Sequence, residues 1–303
     1  MFLPTKLVAV AEAAGLRIAG SRELYPALHG EDQSGLPMLV VENALGRAVI
    51  ALMGAHLMSF RPAGKEEFFW ISPRSPLTAG TPIRGGIPLC LPWFGPNAEG
   101  GPQHGFARTQ EWALVDAEAL ADGRSRVVLE LRGDDSHCPQ WPHAFLFQLA
   151  VTVGSELDLT MTVENLSEKA APLSFAFHTY FAVPDVAQAK VQGLEGVTYI
   201  DKMDGFIRKQ QQGAVQLTAA TDNVYLDAPR VQTVQAGKAA YEIRSRASCA
   251  VVWNAWNNDR NIADIGEGNH VGYLCVERGD VMDRALVLEP GMIYTAEMTL
   301  AAK

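Results

Sequence analysis

The chain is poor in the residues that mark several function classes. Cysteine is scarce: Cys90, Cys138, Cys249 and Cys275 are scattered through 303 residues with no C-x-x-C pair. That spacing signals neither a disulfide framework nor a zinc site, and reads as buried thiols in a reducing compartment. Basic residues are outnumbered, 25 Lys and Arg against 34 Asp and Glu, for a formal charge of −9. An acidic balance argues against non-specific binding to nucleic acid or an anionic membrane. Long apolar runs are missing as well. The mildly apolar stretch 1–20 is broken by Glu12 and Arg17, too short and too charged for a membrane span and a poor signal peptide. It is expected to be an amphipathic helix packed on one end of the fold, in a cytoplasmic protein. No G-x-x-x-x-G-K-[ST], H-E-x-x-H or G-x-S-x-G motif occurs, and Gly266 to Gly272 lacks the strand and helix that frame a dinucleotide fingerprint. His137, Cys138 and His143 are separated by Pro139 and Pro142, which break any regular ligand spacing. Neither a metal nor a cofactor is predicted.

What remains is ordinary globular material, 48% hydrophobic and 19% charged, with ample apolar content for a core. After 1–20, helical periodicity is rare and strand signals are frequent. Short β-rich runs cover Leu39 to Glu42, Ala48 to Met53, Arg126 to Leu131, Phe145 to Val153, Leu157 to Val163 and Leu173 to Phe177. Others follow at Val215 to Leu217, Ala240 to Ile243, Ala250 to Trp253, Tyr273 to Val276 and Tyr294 to Leu300. Leu157 to Val163 alternates apolar and polar residues with the period of a half-buried strand. Turn residues punctuate the runs, as in an all-β sandwich. No low-complexity linker or solenoid repeat divides the chain, so residues 1–303 are read as one large domain.

Several residues stand out chemically. Arg84 and Arg108, 24 residues apart, bracket a stretch crowded with Gly, Pro and aromatics. Cations on such a loop, in an acidic protein, suggest a local anion site. The plain alternative for each is a surface ion pair contributing roughly 0–1 kcal/mol. His178 lies in an apolar strand, and alternation would put Ser174, Ala176, His178 and Tyr180 on one more polar face. A buried, hydrogen-bonded histidine is the competing view. Glu277 closes the apolar run Gly272 to Val276, a costly place for a carboxylate unless it is paired or used. It reads as a candidate base, as a surface residue past the strand, or as a partner for Arg278 or Arg284. Glu289 precedes Pro-Gly and reads first as a turn residue. Asp222 before Asn223 reads as turn chemistry. Trp253, Asn254 and Trp256 form an aromatic and amide cluster suited either to a sugar face or to packing a sandwich end.

Arg84-Gly85-Gly86-Ile87-Pro88, Pro92-Trp93-Phe94-Gly95 and Gln103-His104-Gly105-Phe106-Ala107-Arg108 closely resemble the hexose-6-phosphate mutarotases of the aldose 1-epimerase superfamily. The likeness continues through Phe177-His178-Thr179-Tyr180, Thr221 to Tyr225, Val252-Trp253-Asn254 and Cys275-Val276-Glu277, in matching order from about Leu39 onward. The resemblance implies a galactose-mutarotase-like β-supersandwich of two large, mainly antiparallel sheets with a few short helices. It implies His178 and Glu277 as the catalytic pair, and Arg84, Gln103, Arg108 and Asp222 at the substrate, with His104 lining the cleft. Departures are Ala220 where the family often has Glu, Ala255 where it often has Pro, and Arg278-Gly279 after the glutamate.

The implied reaction interconverts the α and β anomers of D-glucose 6-phosphate or a related hexose 6-phosphate by opening and reclosing the ring. A proton leaves the C1 hydroxyl and another reaches the ring oxygen, a task for Glu277 as base and His178 as acid on opposite sides of that centre. Arg84 and Arg108 would hold the phosphate through paired hydrogen bonds. The expected protein is a monomer acting on a small molecule. Two alternatives differ in testable ways: an epimerase of unphosphorylated aldoses, and a non-catalytic carbohydrate-binding sandwich.

Overall fold

The computed structural model describes residues 15–29 and 35–303. Two antiparallel sheets of eight strands dominate. In the backing sheet the strands run Lys190–Gln192, Val231–Ala236, Ala239–Ser245, Ile293–Ala302, Glu156–Asn165, Phe145–Val153, Ser125–Gly133 and Ala113–Ala119 from edge to edge. In the site sheet the order is Ile207–Gln210, Thr198–Asp201, Thr221–Tyr225, Cys249–Asn254, Tyr273–Asp280, Phe175–Phe177 and Leu89–Cys90, with Tyr180–Ala182 also paired to Tyr273–Asp280. A four-stranded meander, Leu16–Gly20, Pro37–Asn43, Gly46–Ala51 and His56–Pro62, packs beside them.

Leu16–Gly20 pairs with Pro37–Asn43 as a strand, so the helix expected over 1–20 does not reach these residues. They can satisfy their backbone groups on a neighbouring edge, an option the local sequence does not reveal. The first fourteen positions of that expectation lie outside the described residues. Val215 forms only an isolated bridge to Val191 rather than the expected strand.

The two large sheets bury their facing sides against each other. Leu157, Leu159, Met161 and Val163 project from alternate positions of Glu156–Asn165 and are at most 1% exposed. Each such side chain contributes roughly 1.5–3 kcal/mol through removal from water. Residues between them stay half exposed, the pattern of a strand with one wet face. Tyr273–Asp280 differs, being buried at every position. Leu274 and Val276 enter the core between the sheets. Cys275 and Glu277 point the other way, as the two-residue period requires, under the loop that runs from Arg84 to Arg108.

The same parity settles Arg278. It faces the intersheet core, fully buried, where it donates to Pro229 O (2.8 Å), to Gln232 Oε1 and to Ala247 O. Burial pushes its pKa down to about 10. Neither it nor Arg284, which is paired with Asp227 at 2.5 Å, is a partner for Glu277.

Candidate active site

His178 and Glu277 meet through strand register. Phe177 lies opposite Arg278, and Tyr180 lies opposite Cys275, in the same antiparallel frame. The residues between them, His178 and Thr179, therefore fall opposite Glu277 and Val276. Val276 N–H donates to Thr179 O (3.2 Å), and Thr179 N–H folds back to Phe177 O (3.0 Å). The chain is thus divided into two short strands at His178, yet both keep one register against Tyr273–Asp280, so Ala176, His178 and Tyr180 share the cleft face as the alternation predicts. Ser174 Oγ accepts from the N–H of Phe94, which lines the cleft (2.9 Å), and Ala176 packs with Cys90 and Val251.

Glu277 sits mid-strand, 1% exposed, with Oε1 3.4 Å from His178 Nε2. The two groups are neighbours on one wall, not on opposite sides of a cleft. Two adjacent groups suit the chemistry, because the C1 hydroxyl oxygen and the ring oxygen are both bonded to C1. Glu277 Oε2 and His178 Nδ1 are buried without a hydrogen-bond partner among the described residues, a costly condition that structures rarely keep without a use. Burial pushes Glu277 well above the usual carboxylate range, helped by the Asp222 charge and opposed by Lys202. It pushes His178 well below the usual histidine range, helped by His104, Arg84 and Arg108. Both shifts favour the neutral forms, and a neutral acid beside a neutral imidazole differs from a carboxylate beside an imidazolium only by the position of one proton. The rings of His178 and Tyr180 lie parallel, 4.8 Å apart at 6°, which fixes the imidazole plane.

The arginine loop covers this wall. Gly105 lets it pass close: a Cβ there would lie 1.9 Å from Leu91 O, at a φ of +75°. Arg108 donates from Nη2 to Gln103 O (2.6 Å), while its Nε is buried without a partner. It has no carboxylate partner among the described residues. Arg84 is already engaged, through Nε to Asp264 (3.1 Å) and through Nη1 to Tyr180 Oη (2.9 Å). His104 Nδ1 accepts from Gly95 N–H (3.1 Å), so its neutral ring carries the proton on Nε2. Burial and the charges of Arg108, Lys202 and Arg84 lower its pKa to about 3. Gln103 is exposed at the rim.

The cleft occupies about 220 Å³ and is lined by all seven residues singled out from the sequence, with Phe94, Lys202, Trp253 and Ile262. Asp222 lies within the strand Thr221–Tyr225, opposite Trp253, rather than in a turn. Its carboxylate is 2.6 Å from Lys202 Nζ. Lys202 was not singled out from the sequence, since a lone lysine after a short strand gives no local signal. Trp253 lines the cleft, but Asn254 does not: its amide donates to His270 O (3.0 Å) and Tyr273 O (2.9 Å) and accepts from Trp256 N–H (2.8 Å). Glu289 is exposed in its turn. His137, Cys138 and His143 do not converge: His137 packs on Phe145, and His143 meets Ser167 Oγ at 3.3 Å. Among the described residues no three metal-ligating side chains gather at one point.

This architecture and its buried histidine–glutamate pair fit a mutarotase-type isomerase, an enzyme that opens and recloses cyclic sugars. The chain belongs to the aldose 1-epimerase family, whose profile matches residues 37–301. A relative from Cenchrus ciliaris with the provisional name glucose-6-phosphate 1-epimerase is 34% identical over 285 residues, covering 89% of this chain and 85% of the relative. A crystal structure from Salmonella typhimurium, provisionally described as a mutarotase, superposes with a TM-score of 0.82 at 27% identity, covering 97% of this chain and 99% of the other. A galactose mutarotase related enzyme from Lactobacillus acidophilus shares the fold at 16% identity, with a TM-score of 0.72 over 88% of this chain and 97% of its own. Among the described residues no helix is long and apolar enough to cross a membrane.

Proposed function

We propose that the chain interconverts the α and β anomers of D-glucose 6-phosphate and related hexose 6-phosphates, with His178 and Glu277 as acid and base. The observation that carries this reading is their 3.4 Å contact, buried beside a cleft that also holds Arg84, Arg108 and Lys202. The pair is armed by moving one proton from Glu277 to His178. A phosphate dianion brought in beside Arg108 favours that transfer, because its charge stabilises the imidazolium. The carboxylate then takes the C1 hydroxyl proton while the imidazolium protonates the ring oxygen. The C5–O5 unit departs as a hydroxyl and C1 becomes an aldehyde. After rotation about C1–C2, the same two groups return the protons in reverse and close the ring on the other face. Positioned acid–base groups of this kind typically contribute about 10²–10⁴-fold each.

Arg108 supplies the main phosphate contact in this reading, with an unpaired guanidinium at the mouth of the cleft. Arg84 contributes what Asp264 and Tyr180 leave free. His104 Nε2–H is a neutral donor for a hydroxyl or phosphate oxygen. A single-domain monomer acting in the cytoplasm on a small metabolite is part of the same proposal. The test is exchange spectroscopy between the anomers of glucose and of glucose 6-phosphate. Faster exchange for the phosphorylated sugar supports the reading. Equal rate enhancement for both would move the substrate to unphosphorylated aldoses, and binding without exchange would leave only a carbohydrate-binding module.

A further inference from the structure

Tyr180 is the second residue after His178 and lies opposite Cys275 in the site sheet. Its backbone N–H donates to Gly86 O (2.9 Å) in the arginine loop, and its carbonyl accepts from Trp70 N–H (3.0 Å). The side chain is 1% exposed and does not line the cleft. It nevertheless meets a phosphate-site arginine and the catalytic imidazole at once. Its Oη accepts from Arg84 Nη1 (2.9 Å), and its ring lies parallel to the His178 ring, 4.8 Å away at 6°.

Those two contacts are rigidly joined. A phenol oxygen is fixed to its ring, so Arg84 cannot pull on Oη without turning the face that supports the imidazole. The ring has little room to turn, because Trp70, Tyr273 and Trp253 meet it at centroid distances of 6.0, 5.4 and 6.0 Å. Burial pushes the phenol well above its ordinary range, against the pull of the Arg84 charge. The hydroxyl therefore holds Arg84 as a neutral acceptor, whereas Asp264, on Arg84 Nε at 3.1 Å, offsets its charge. We propose that Tyr180 is a positioning residue with two separable tasks: its hydroxyl sets the Arg84 guanidinium for the substrate phosphate, and its ring sets the His178 imidazole for proton transfer.

The division follows from what each contact can do. A guanidinium carries its N–H donors in a planar fork. The bonds to Asp264 and Tyr180 pin that plane at two points and aim the donors they leave free. Without Oη the fork can turn about its bond to Asp264, and the aim is lost. The imidazole has a parallel need. Its Nε2 is 3.4 Å from Glu277 Oε1, and its Nδ1 has no hydrogen-bond partner among the described residues. Hydrogen bonding alone does not fix the plane of the ring, and the stack on Tyr180 does.

This assignment rests on the proposed phosphate-sugar reading, and the experiment separates the two. Wild type, Tyr180→Phe and Tyr180→Leu are compared by kcat and KM for anomer exchange of glucose 6-phosphate, and by inhibition with inorganic phosphate. Tyr180→Phe keeps the ring and removes the hydroxyl. It is expected to raise KM roughly tenfold and to weaken phosphate inhibition by a similar factor, with the loss of kcat held to about threefold. Tyr180→Leu removes both groups. It is expected to show the same weakened inhibition and, in addition, a kcat roughly 10- to 100-fold lower. Folding is checked by circular dichroism, and Tyr180→Met replaces a Leu variant that does not fold. Unchanged phosphate inhibition in Tyr180→Phe, or a kcat loss there beyond threefold, would overturn the assignment whether or not a variant without the ring folds. So would a folded variant without the ring whose kcat matches that of Tyr180→Phe. Each of these results leaves wild-type activity intact. No wild-type turnover of glucose 6-phosphate, or no inhibition of the wild type by phosphate, would bring down the phosphate-sugar reading itself, and the role of Tyr180 with it.

Discussion

Arg108→Ala probes the anion end of the cleft with little risk to the fold. Arg108 makes one hydrogen bond within the protein, from Nη2 to Gln103 O, and its Nε has no partner. Truncation therefore breaks one internal contact and no ion pair among the described residues. A charge-assisted hydrogen bond is worth roughly 1.5–3 kcal/mol, and each 1.4 kcal/mol is about tenfold in an equilibrium constant. One such bond to phosphate thus predicts a loss of about 10- to 150-fold in kcat/KM on glucose 6-phosphate, mostly in KM. Free glucose has nothing at that position and should lose less than about threefold. The assay is anomer exchange followed by nuclear magnetic resonance on each sugar at several concentrations. Matching losses on both sugars would refute the placement of the phosphate, since they would mean that Arg108 serves the reacting end or the loop itself.

Glu277→Gln should lower kcat by about 10²–10⁴-fold while circular dichroism and melting remain native, and His178→Ala should do likewise; near-normal exchange in either would remove that residue from the chemistry. The same Gln variant carries a pH signature. Glu277 is raised well above 4.5 in the folded protein, so below that pH the folded and unfolded carboxyls are both protonated and Glu costs no more than Gln. Above it the unfolded carboxyl ionises first. The wild type then loses stability relative to Glu277→Gln, by about 1.36 kcal/mol for each pH unit climbed, until the folded pKa is passed. Urea melts at low and neutral pH would contradict this if the difference stayed constant. Arg278→Met should leave the carbonyls of Pro229 and Ala247 without their donor and destabilise by about 1–3 kcal/mol for each acceptor left unpaired, read by denaturant unfolding, with an unchanged midpoint contradicting its role as an intersheet tie.

The backing sheet was legible in the sequence because one of its faces is wet. Phe145–Val153 has the bounds its β-rich run suggested, and Glu156–Asn165 contains the alternating Leu157 to Val163. The site sheet was less legible. Tyr273–Asp280 is buried on both faces, so its run of apolar residues says nothing about which side Glu277 takes, and Glu277 looked terminal only because charged residues follow it. Those residues continue the strand, with Arg278 buried on the opposite face. Asp222 and Asn223 favour turns in isolation, yet pairing with Thr198–Asp201 and Cys249–Asn254 holds them extended. The partnership of His178 with Glu277 is set by register between strands almost a hundred residues apart, which no local pattern encodes. Of the seven residues brought to one cleft, Arg84, Arg108, His178 and Glu277 stood out by residue type and setting, while the resemblance added Gln103, His104 and a substrate role for Asp222. Lys202, outside the resembling motifs, was not found.

The central claim is that His178 and Glu277 pass protons at the anomeric centre of a sugar phosphate. Magnetisation exchange between the C1 protons of α- and β-glucose 6-phosphate tests it directly, with wild type, Glu277→Gln and buffer run side by side. Rapid exchange is predicted with wild type and buffer-like exchange with the variant. Exchange no faster with wild type than in buffer would contradict the claim.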